Sequence, residues 1–134
     1  WIDTILSRVT DVFFGVPFIV GAMVILTTFE ERSVWVVILS MAFLGWTSIA
    51  RVARGSVITI KQADYVVAAK ALGASTTRIL TRHILPNAIA PVIVVATIAL
   101  GGYIAAEATL SFLGIGLAEP TVSWGIDVSA AKDQ

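Results

Sequence analysis

The sequence lacks cysteine and has little charge and only one histidine. With no cysteine among its 134 residues, this stretch excludes disulfide scaffolds and thiolate metal sites. The single histidine provides no pair of imidazole ligands for zinc. Charged residues make up 13%, against about 25% in typical soluble domains. Nine basic residues balance nine acidic ones, so no nucleic-acid partner is expected.

Apolar residues are abundant instead. They form 57% of the chain, against roughly 45–50% in soluble domains, and the mean hydropathy is +0.92. The chain has too few polar residues to cover an apolar core of this size in water. The composition therefore predicts a membrane protein. The chain starts at Trp1 with no signal-peptide pattern, and we expect it to be part of a longer protein.

Uncharged runs between charged residues predict three membrane-spanning helices. The first two runs, 12–29 and 33–50, hold 18 residues each, or about 27 Å of helix against a bilayer core of about 30 Å. The short link between them predicts an antiparallel hairpin. A third uncharged run covers 84–106, and because Pro86 suits a first helical turn we place the third span at about 86–108.

The distribution of basic residues predicts the orientation of these spans. Six of the nine basic residues lie between the second and third spans: Arg51, Arg54, Lys61, Lys70, Arg78 and Arg82. Short loops rich in lysine and arginine stay on the cytoplasmic side of a membrane. We therefore expect a cytoplasmic region at about 54–85 and an external segment at about 109–134.

The cytoplasmic region is predicted to contain two short helices. The composition of 62–72 favours a helix, and Gly73 would end it in the left-handed conformation. Ser75 would then cap a second helix over 76–83. One side of the first helix carries Ala63, Val66 and Ala69. From the residues alone, this element is either an amphipathic helix on the membrane surface or a docking element for another protein.

Several motifs resemble a known family. The stretch 68–73 (AAKALG), followed by 83–87 (HILPN), is similar to the cytoplasmic loop signature of ABC-transporter permeases. Downstream, 110–116 (LSFLGIG) and 123–125 (SWG) resemble the dipeptide and oligopeptide permease subfamily. Val67 stands where the signature usually has glutamate. The resemblance covers essentially the whole chain, which looks like the C-terminal part of such a permease.

The resemblance implies a fold class and a function. The fold would be an all-α membrane protein, a transmembrane helix bundle with a cytoplasmic coupling helix, of the type I ABC importer permease kind. The chain would be part of a multi-pass permease subunit in the bacterial plasma membrane that translocates dipeptides or oligopeptides. Nickel and glutathione permeases share the same C-terminal pattern and remain alternatives, as does a membrane channel or assembly subunit that is not coupled to ATP.

The resemblance also implies partners. These would be a second homologous permease subunit forming a heterodimer, two nucleotide-binding ATPase subunits, an extracytoplasmic substrate-binding protein and the lipid bilayer. This chain has no phosphate-binding motif of the G-x-x-x-x-G-K-[ST] kind. We therefore expect that it is not an enzyme, that it binds no cofactor or metal, and that ATP and Mg²⁺ bind to the ATPase subunits.

Two sets of site residues follow. The resemblance assigns ATPase coupling to Val67, Ala68, Ala69, Lys70, Ala71, Leu72, Gly73 and Arg78. Small residues recur three and four positions apart along the third span, on a face that serves either helix packing or the substrate path. The path candidates are Ala99, Gly102, Ala106 and Glu107. For Glu107, snorkelling or a structural hydrogen bond is the alternative to lining the path.

Overall fold

The computed structural model describes residues 1–29 and 33–132, and every regular element among them is helical. The helices are α1 (Ile2–Phe14), α2 (Phe18–Thr28), α3 (Val34–Ile60), α4 (Asp64–Ala71), α5 (Thr76–Ile79), a π-helical segment (Leu80–Ile84), α6 (Leu85–Phe112) and α7 (Trp124–Lys132). The all-α architecture expected from the sequence is therefore confirmed. The short link at 30–32, which predicts an antiparallel hairpin, lies outside the described residues.

Two of the described helical runs are long and apolar enough to cross a bilayer. They are Val34–Ile60, with 27 residues, and Thr76–Phe112, with 37 residues. At 1.5 Å per residue, the first is about 40 Å long and exceeds a bilayer core. It extends ten residues beyond the expected end at residue 50, because the charged residues that end an uncharged run do not end a helix. Arginine is itself a good helix former.

The first expected span is not one continuous helix. α1 ends at Phe14 and α2 begins at Phe18, and the two helices are bent by 81° relative to each other. Pro17 lies at the break, with φ −57° and ψ 125°. Proline lacks an amide N–H and disfavours helical geometry at the residue before it, which explains why the helix stops here. The assignment of a membrane span to 12–29 stays a prediction.

The second short helix does not end at His83. α5 continues through the π-helical segment into α6, so that a single helical run reaches from Thr76 to Phe112. Pro86 comes directly after the start of α6. A wider π turn before a proline relieves the clash between the proline ring and the preceding turn, and this explains why the chain continues as a helix.

The described residues divide into two compact units, 1–47 with 99–132, and 48–98. In the first unit, a buried apolar cluster joins α2, α3, α6 and the segment after α6: Ala22, Leu26, Val37, Met41, Leu44, Ala106, Leu110 and Leu117. Tyr103 packs beside this cluster, with its ring centroid 5.6 Å from that of Phe18. Its ring also covers Gly45, where a Cβ would overlap the tyrosine hydroxyl.

The second unit contains the C-terminal part of α3, then α4, α5, the π-helical segment and the first half of α6. Its buried side chains are few, with Val66 and Ala88 only 4% and 5% exposed. Many large apolar side chains on α6 are exposed, among them Ile89, Ile93 and Ile98. Such surfaces are typical of helices that face lipid or another membrane helix.

Candidate coupling helix and carboxylate clasp

Local interactions define both ends of α4. Its first turn carries Asp64 and its last turn carries Lys70, and both charges complement the helix dipole. The amide of Gly73 donates to the Lys70 carbonyl at 3.0 Å, and the amide of Ala74 donates to the Ala69 carbonyl at 3.1 Å. Gly73 has a φ of +81°, in the left-handed region. The predicted role of Gly73 as helix terminator is therefore confirmed, although the helix spans 64–71 rather than 62–72.

The cap predicted for the next helix is also present. Ser75 is extended, with φ −65° and ψ 152°, and its hydroxyl oxygen accepts a hydrogen bond from the amide of Arg78 at 3.4 Å. This bond satisfies one of the amides that a helix leaves free at its N-terminus. α4 and α5 are thus joined by a short turn whose two ends are both set by local chemistry.

α4 buries one side and exposes the other. Val66 is 4% exposed, and Ala63 and Ala69 are half-buried, which matches the shared side predicted from their spacing. The opposite side carries four exposed apolar residues, which we call the docking face: Val67, Ala68, Ala71 and Leu72. Leu72 is 89% exposed. An apolar group of this kind on a short capped helix is suited to contact with another surface.

The remaining coupling candidates differ in their exposure. Lys70, Gly73 and Arg78 are exposed, whereas Ala69 lies on the half-buried side and does not belong to the docking face. Sequence reasoning assigned no role to Tyr65, which contacts His83 with 6.2 Å between the ring centroids. This contact holds α4 beside the π-helical segment.

The C-terminal end of α6 is closed by a second left-handed glycine. Gly114 has a φ of +74°, and its amide donates to the Ser111 carbonyl at 2.9 Å. The amides of Ile115 and Gly116 both donate to the Leu110 carbonyl, at 3.0 and 2.9 Å. The chain consequently folds back beside α6 instead of continuing along the helix axis.

A group of three polar side chains follows, which we call the clasp: Glu107, Ser111 and Ser123. Oε1 of Glu107 accepts a hydrogen bond from Ser111 Oγ at 2.7 Å and another from Ser123 Oγ at 2.8 Å. The serines are 4% and 6% exposed. Each serine oxygen in turn accepts from a backbone amide, that of Leu117 at 2.9 Å and that of Gly125 at 3.1 Å. The buried hydroxyls are therefore fully paired.

Two glycines allow the backbone to approach the clasp closely. A Cβ at Gly116 would lie 2.5 Å from Ser111 Oγ and 2.7 Å from the Ser111 amide nitrogen. A Cβ at Gly125 would overlap the carbonyl oxygen of Ala108 and lie 2.9 Å from the amide nitrogen of Phe112. Gly116 and Gly125 thus have a packing reason, whereas Gly114 is required by its positive φ.

The four path candidates have different environments. Ala99 is half-buried, Gly102 is exposed, and Ala106 is 8% exposed within the apolar cluster. Glu107 accepts structural hydrogen bonds, as one of its two interpretations expected. A role of these four residues in the substrate path stays a prediction. Sequence reasoning missed Ser123 as a partner of Glu107. The i, i+4 spacing of Glu107 and Ser111 was the available signal for half of the clasp.

Apolar helices of membrane-spanning length, joined by a capped surface helix, define a multi-span integral membrane protein. A family model described as "Binding-protein-dependent transport system inner membrane component" matches residues 1–132. The chain belongs to this family of inner membrane components of transport systems. The fold class predicted from the sequence, an all-α membrane protein of the type I importer permease kind, is confirmed.

Curated relatives share most of this chain. The oligopeptide transport system permease protein OppC of Bacillus subtilis is 37% identical over 92% of the chain. The dipeptide transport system permease protein DppC of the same organism is 37% identical over 93%. A putative peptide transport system permease protein of Brucella suis is 43% identical over 98%. The matched regions cover only 40%, 39% and 44% of these relatives, so the chain spans well under half of their length.

Proposed function

We propose that this chain forms part of the permease subunit of an ATP-driven importer for dipeptides or oligopeptides. In this proposal, α4 is the coupling helix that docks onto an ATPase subunit. The permease pairs with a second homologous permease subunit as a heterodimer. Two nucleotide-binding ATPase subunits bind ATP and Mg²⁺ and hydrolyse the ATP. An extracytoplasmic binding protein delivers the substrate.

The exposed docking face of α4 is the observation that carries the coupling role. Leu72 and Val67 are 89% and 54% exposed, on a helix whose other side is buried through Val66. The C-terminal end of α4 is closed by the hydrogen bonds at Gly73 and Ala74, and Ser75 caps the start of α5 directly after it. A rigid capped helix transmits rigid-body motion from a partner, whereas a flexible loop would absorb it. A channel without ATP coupling would need no such element.

The docking role is tested by placing a charge on the docking face. Ala71→Glu puts a carboxylate among exposed apolar residues, where a docked partner would bury it without a counter-charge. We expect membrane insertion to be unchanged and ATP-driven uptake to fall by about tenfold or more, since burial of an unpaired charge costs several kcal/mol. Loss of the ATPase subunits on co-purification would accompany this fall.

Gln62→Glu is the matched control. It adds the same negative charge at an exposed position before α4 begins, away from the docking face. Uptake by this variant should be close to that of the wild type. Normal uptake by Ala71→Glu, or an equal loss in both variants, would contradict the docking role. Ala69→Glu is a less useful probe, because Ala69 lies on the half-buried side and its replacement would also disturb packing within the chain.

The substrate class is tested with the full-length assembly in liposomes. With the binding protein present, ATP hydrolysis is measured while dipeptides, oligopeptides, nickel and glutathione are added in turn. We expect short peptides to stimulate hydrolysis, because the relatives named above are peptide transport permeases. Stimulation by nickel or glutathione alone would replace the peptide assignment. If no ATPase co-purifies with the permease, the channel or assembly alternative would lead.

A further inference from the structure

The clasp joins two helices through one oxygen atom. Ser111 and Ser123 both donate to Oε1 of Glu107, at 2.7 and 2.8 Å. Oε2 accepts no hydrogen bond from the side chains and backbone of the described part of the chain. Ser111 lies on α6 together with Glu107, whereas Ser123 immediately precedes α7. The bond from Ser123 therefore ties the start of α7 to α6.

The backbone fixes the direction of both serine hydroxyls. A hydroxyl has one proton to donate and lone pairs to accept with. Because the Leu117 amide donates to Ser111 and the Gly125 amide donates to Ser123, each serine oxygen is already used as an acceptor. Each hydroxyl proton is then free to point at the carboxylate. The arrangement needs a hydrogen-bond acceptor at the position of Oε1. A group at that position that could only donate would leave both hydroxyl protons without an acceptor.

Close packing leaves little room for movement around these bonds. Gly125 lies against the backbone of Ala108 and Phe112, so closely that a Cβ would overlap the Ala108 carbonyl oxygen. Ser111 and Ser123 are nearly buried, at 4% and 6% exposure. A buried hydroxyl that loses its partner pays the full cost of desolvation, so the loss of either serine bond is costly.

We propose that Glu107 is a positioning residue that accepts these two hydrogen bonds and thereby keeps α7 fixed to the C-terminal end of α6 while the permease changes conformation. This inference rests on the proposed function, which supplies the conformational cycle. It requires an acceptor oxygen at residue 107 and not a negative charge, because one oxygen takes both bonds. A glutamate that lined a substrate path would depend on its charge.

Substitutions at residue 107 separate the two roles. Glu107→Gln retains a carbonyl oxygen that accepts both hydrogen bonds, and its amide group takes the place of Oε2, which has no hydrogen-bond partner within residues 1–29 and 33–132. ATP-driven uptake by this variant should stay within about twofold of the wild type. Glu107→Leu removes both bonds at similar volume, and uptake should fall by about tenfold or more, since it leaves two buried hydroxyls unpaired. Glu119→Leu, at an exposed position in the same connection, is the matched control.

The serine side of the clasp gives a second comparison. Ser123→Ala removes the bond that joins α7 to α6 and leaves the bond within α6 intact. We expect uptake by this variant to fall between those of the two Glu107 variants. Ser129→Ala makes the same chemical change within α7 at a half-buried position outside the clasp. It should transport like the wild type.

The position of α7 is measured directly with spin labels. Ile104 on α6 and Val128 on α7 are 49% and 58% exposed, and this stretch has no cysteine of its own. Cysteines elsewhere in the full-length assembly are replaced by serine before labelling. Double electron–electron resonance on the full-length assembly then gives the distance distribution with and without ATP. We expect one narrow population in both states for the wild type and Glu107→Gln, and a broad or second population for Glu107→Leu.

The outcomes distinguish this inference from the proposed function. Equal damage by Glu107→Gln and Glu107→Leu would overturn the acceptor role in favour of a required charge. A narrow distribution in Glu107→Leu, or normal uptake despite a broad one, would overturn the positioning role and leave the proposed function standing. Absence of ATP-driven uptake in the wild-type assembly would contradict the proposed function, while the label distances would still test the clasp.

Discussion

Replacement of Gly125 by alanine is expected to detach α7 from α6. A Cβ at Gly125 would overlap the Ala108 carbonyl oxygen, and it would lie 2.8 Å from the Ala108 carbonyl carbon and 2.9 Å from the Phe112 amide nitrogen. All three are backbone atoms of α6, and the hydrogen bonds of that helix hold them in place. Because α6 does not yield, α7 has to move.

The size of the effect follows from three contributions. Overpacking of a close contact costs about 1–3 kcal/mol. Movement of α7 also breaks the bond between Ser123 and Glu107, which contributes about 1 kcal/mol net. Alanine regains up to about 1 kcal/mol over glycine within a helix. The docked position of α7 should therefore lose about 2 kcal/mol, which raises the population of the detached state about 30-fold at 1.36 kcal/mol per factor of ten.

Hydrogen exchange of the full-length permease in lipid nanodiscs measures this population. Peptides that cover 117–132 should exchange about 30-fold faster in Gly125→Ala, if local detachment limits their exchange. Gly101→Ala is the control, since it makes the same change within α6 where a Cβ meets no atom within 4 Å. Its exchange should be unchanged or slightly slower. Unchanged exchange in Gly125→Ala, or equal acceleration in both variants, would refute the packing argument.

Three further predictions concern packing and backbone geometry. Gly45→Ala should lower the Tm of the detergent-solubilised protein, because its Cβ would overlap the Tyr103 hydroxyl and lie 2.7 Å from Cζ, at a cost of about 1–3 kcal/mol. Leu110→Ala removes a fully buried side chain and should reduce the free energy of unfolding by about 2–5 kcal/mol in chemical denaturation, whereas Leu100→Ala, at 61% exposure, should reduce it much less. Gly73→Ala should accelerate hydrogen exchange over 69–74 at a cost of about 1–2 kcal/mol, because φ is +81° there and no neighbouring atom adds a clash. A Tm, an unfolding free energy or an exchange rate equal to that of the wild type would contradict the respective prediction.

α4 and the start of α5 show which features can be predicted from residues that are close in the sequence. The terminator at Gly73 and the cap at Ser75 were predicted from residue type and order, and the structure has both. Each depends on hydrogen bonds between residues no more than five positions apart, so the sequence contains all the necessary information. The shared buried side of Ala63, Val66 and Ala69 follows from helical periodicity in the same way.

The helix boundaries could not be predicted by counting uncharged residues between charged ones. The uncharged run 12–29 predicts one span by length, but the backbone restriction at Pro17 divides it into two helices bent by 81°. Charge counting also ended the second span at residue 50, although α3 continues to Ile60. Hydropathy reports the cost of placing a side chain in lipid, while hydrogen bonding and φ/ψ preferences decide where a helix ends.

Residue types and their order establish the membrane class, the family motifs, the helix α4 with its glycine terminator, and an acid, Glu107, at the end of an apolar run. The hydrogen bonds that this acid accepts depend on the three-dimensional fold. Ser123 lies 16 residues from Glu107, and only the left-handed turn at Gly114 and the close approach at Gly125 bring the two side chains to 2.8 Å. Composition and periodicity describe which face a residue occupies, but a hydrogen bond between distant residues depends on where the chain folds back.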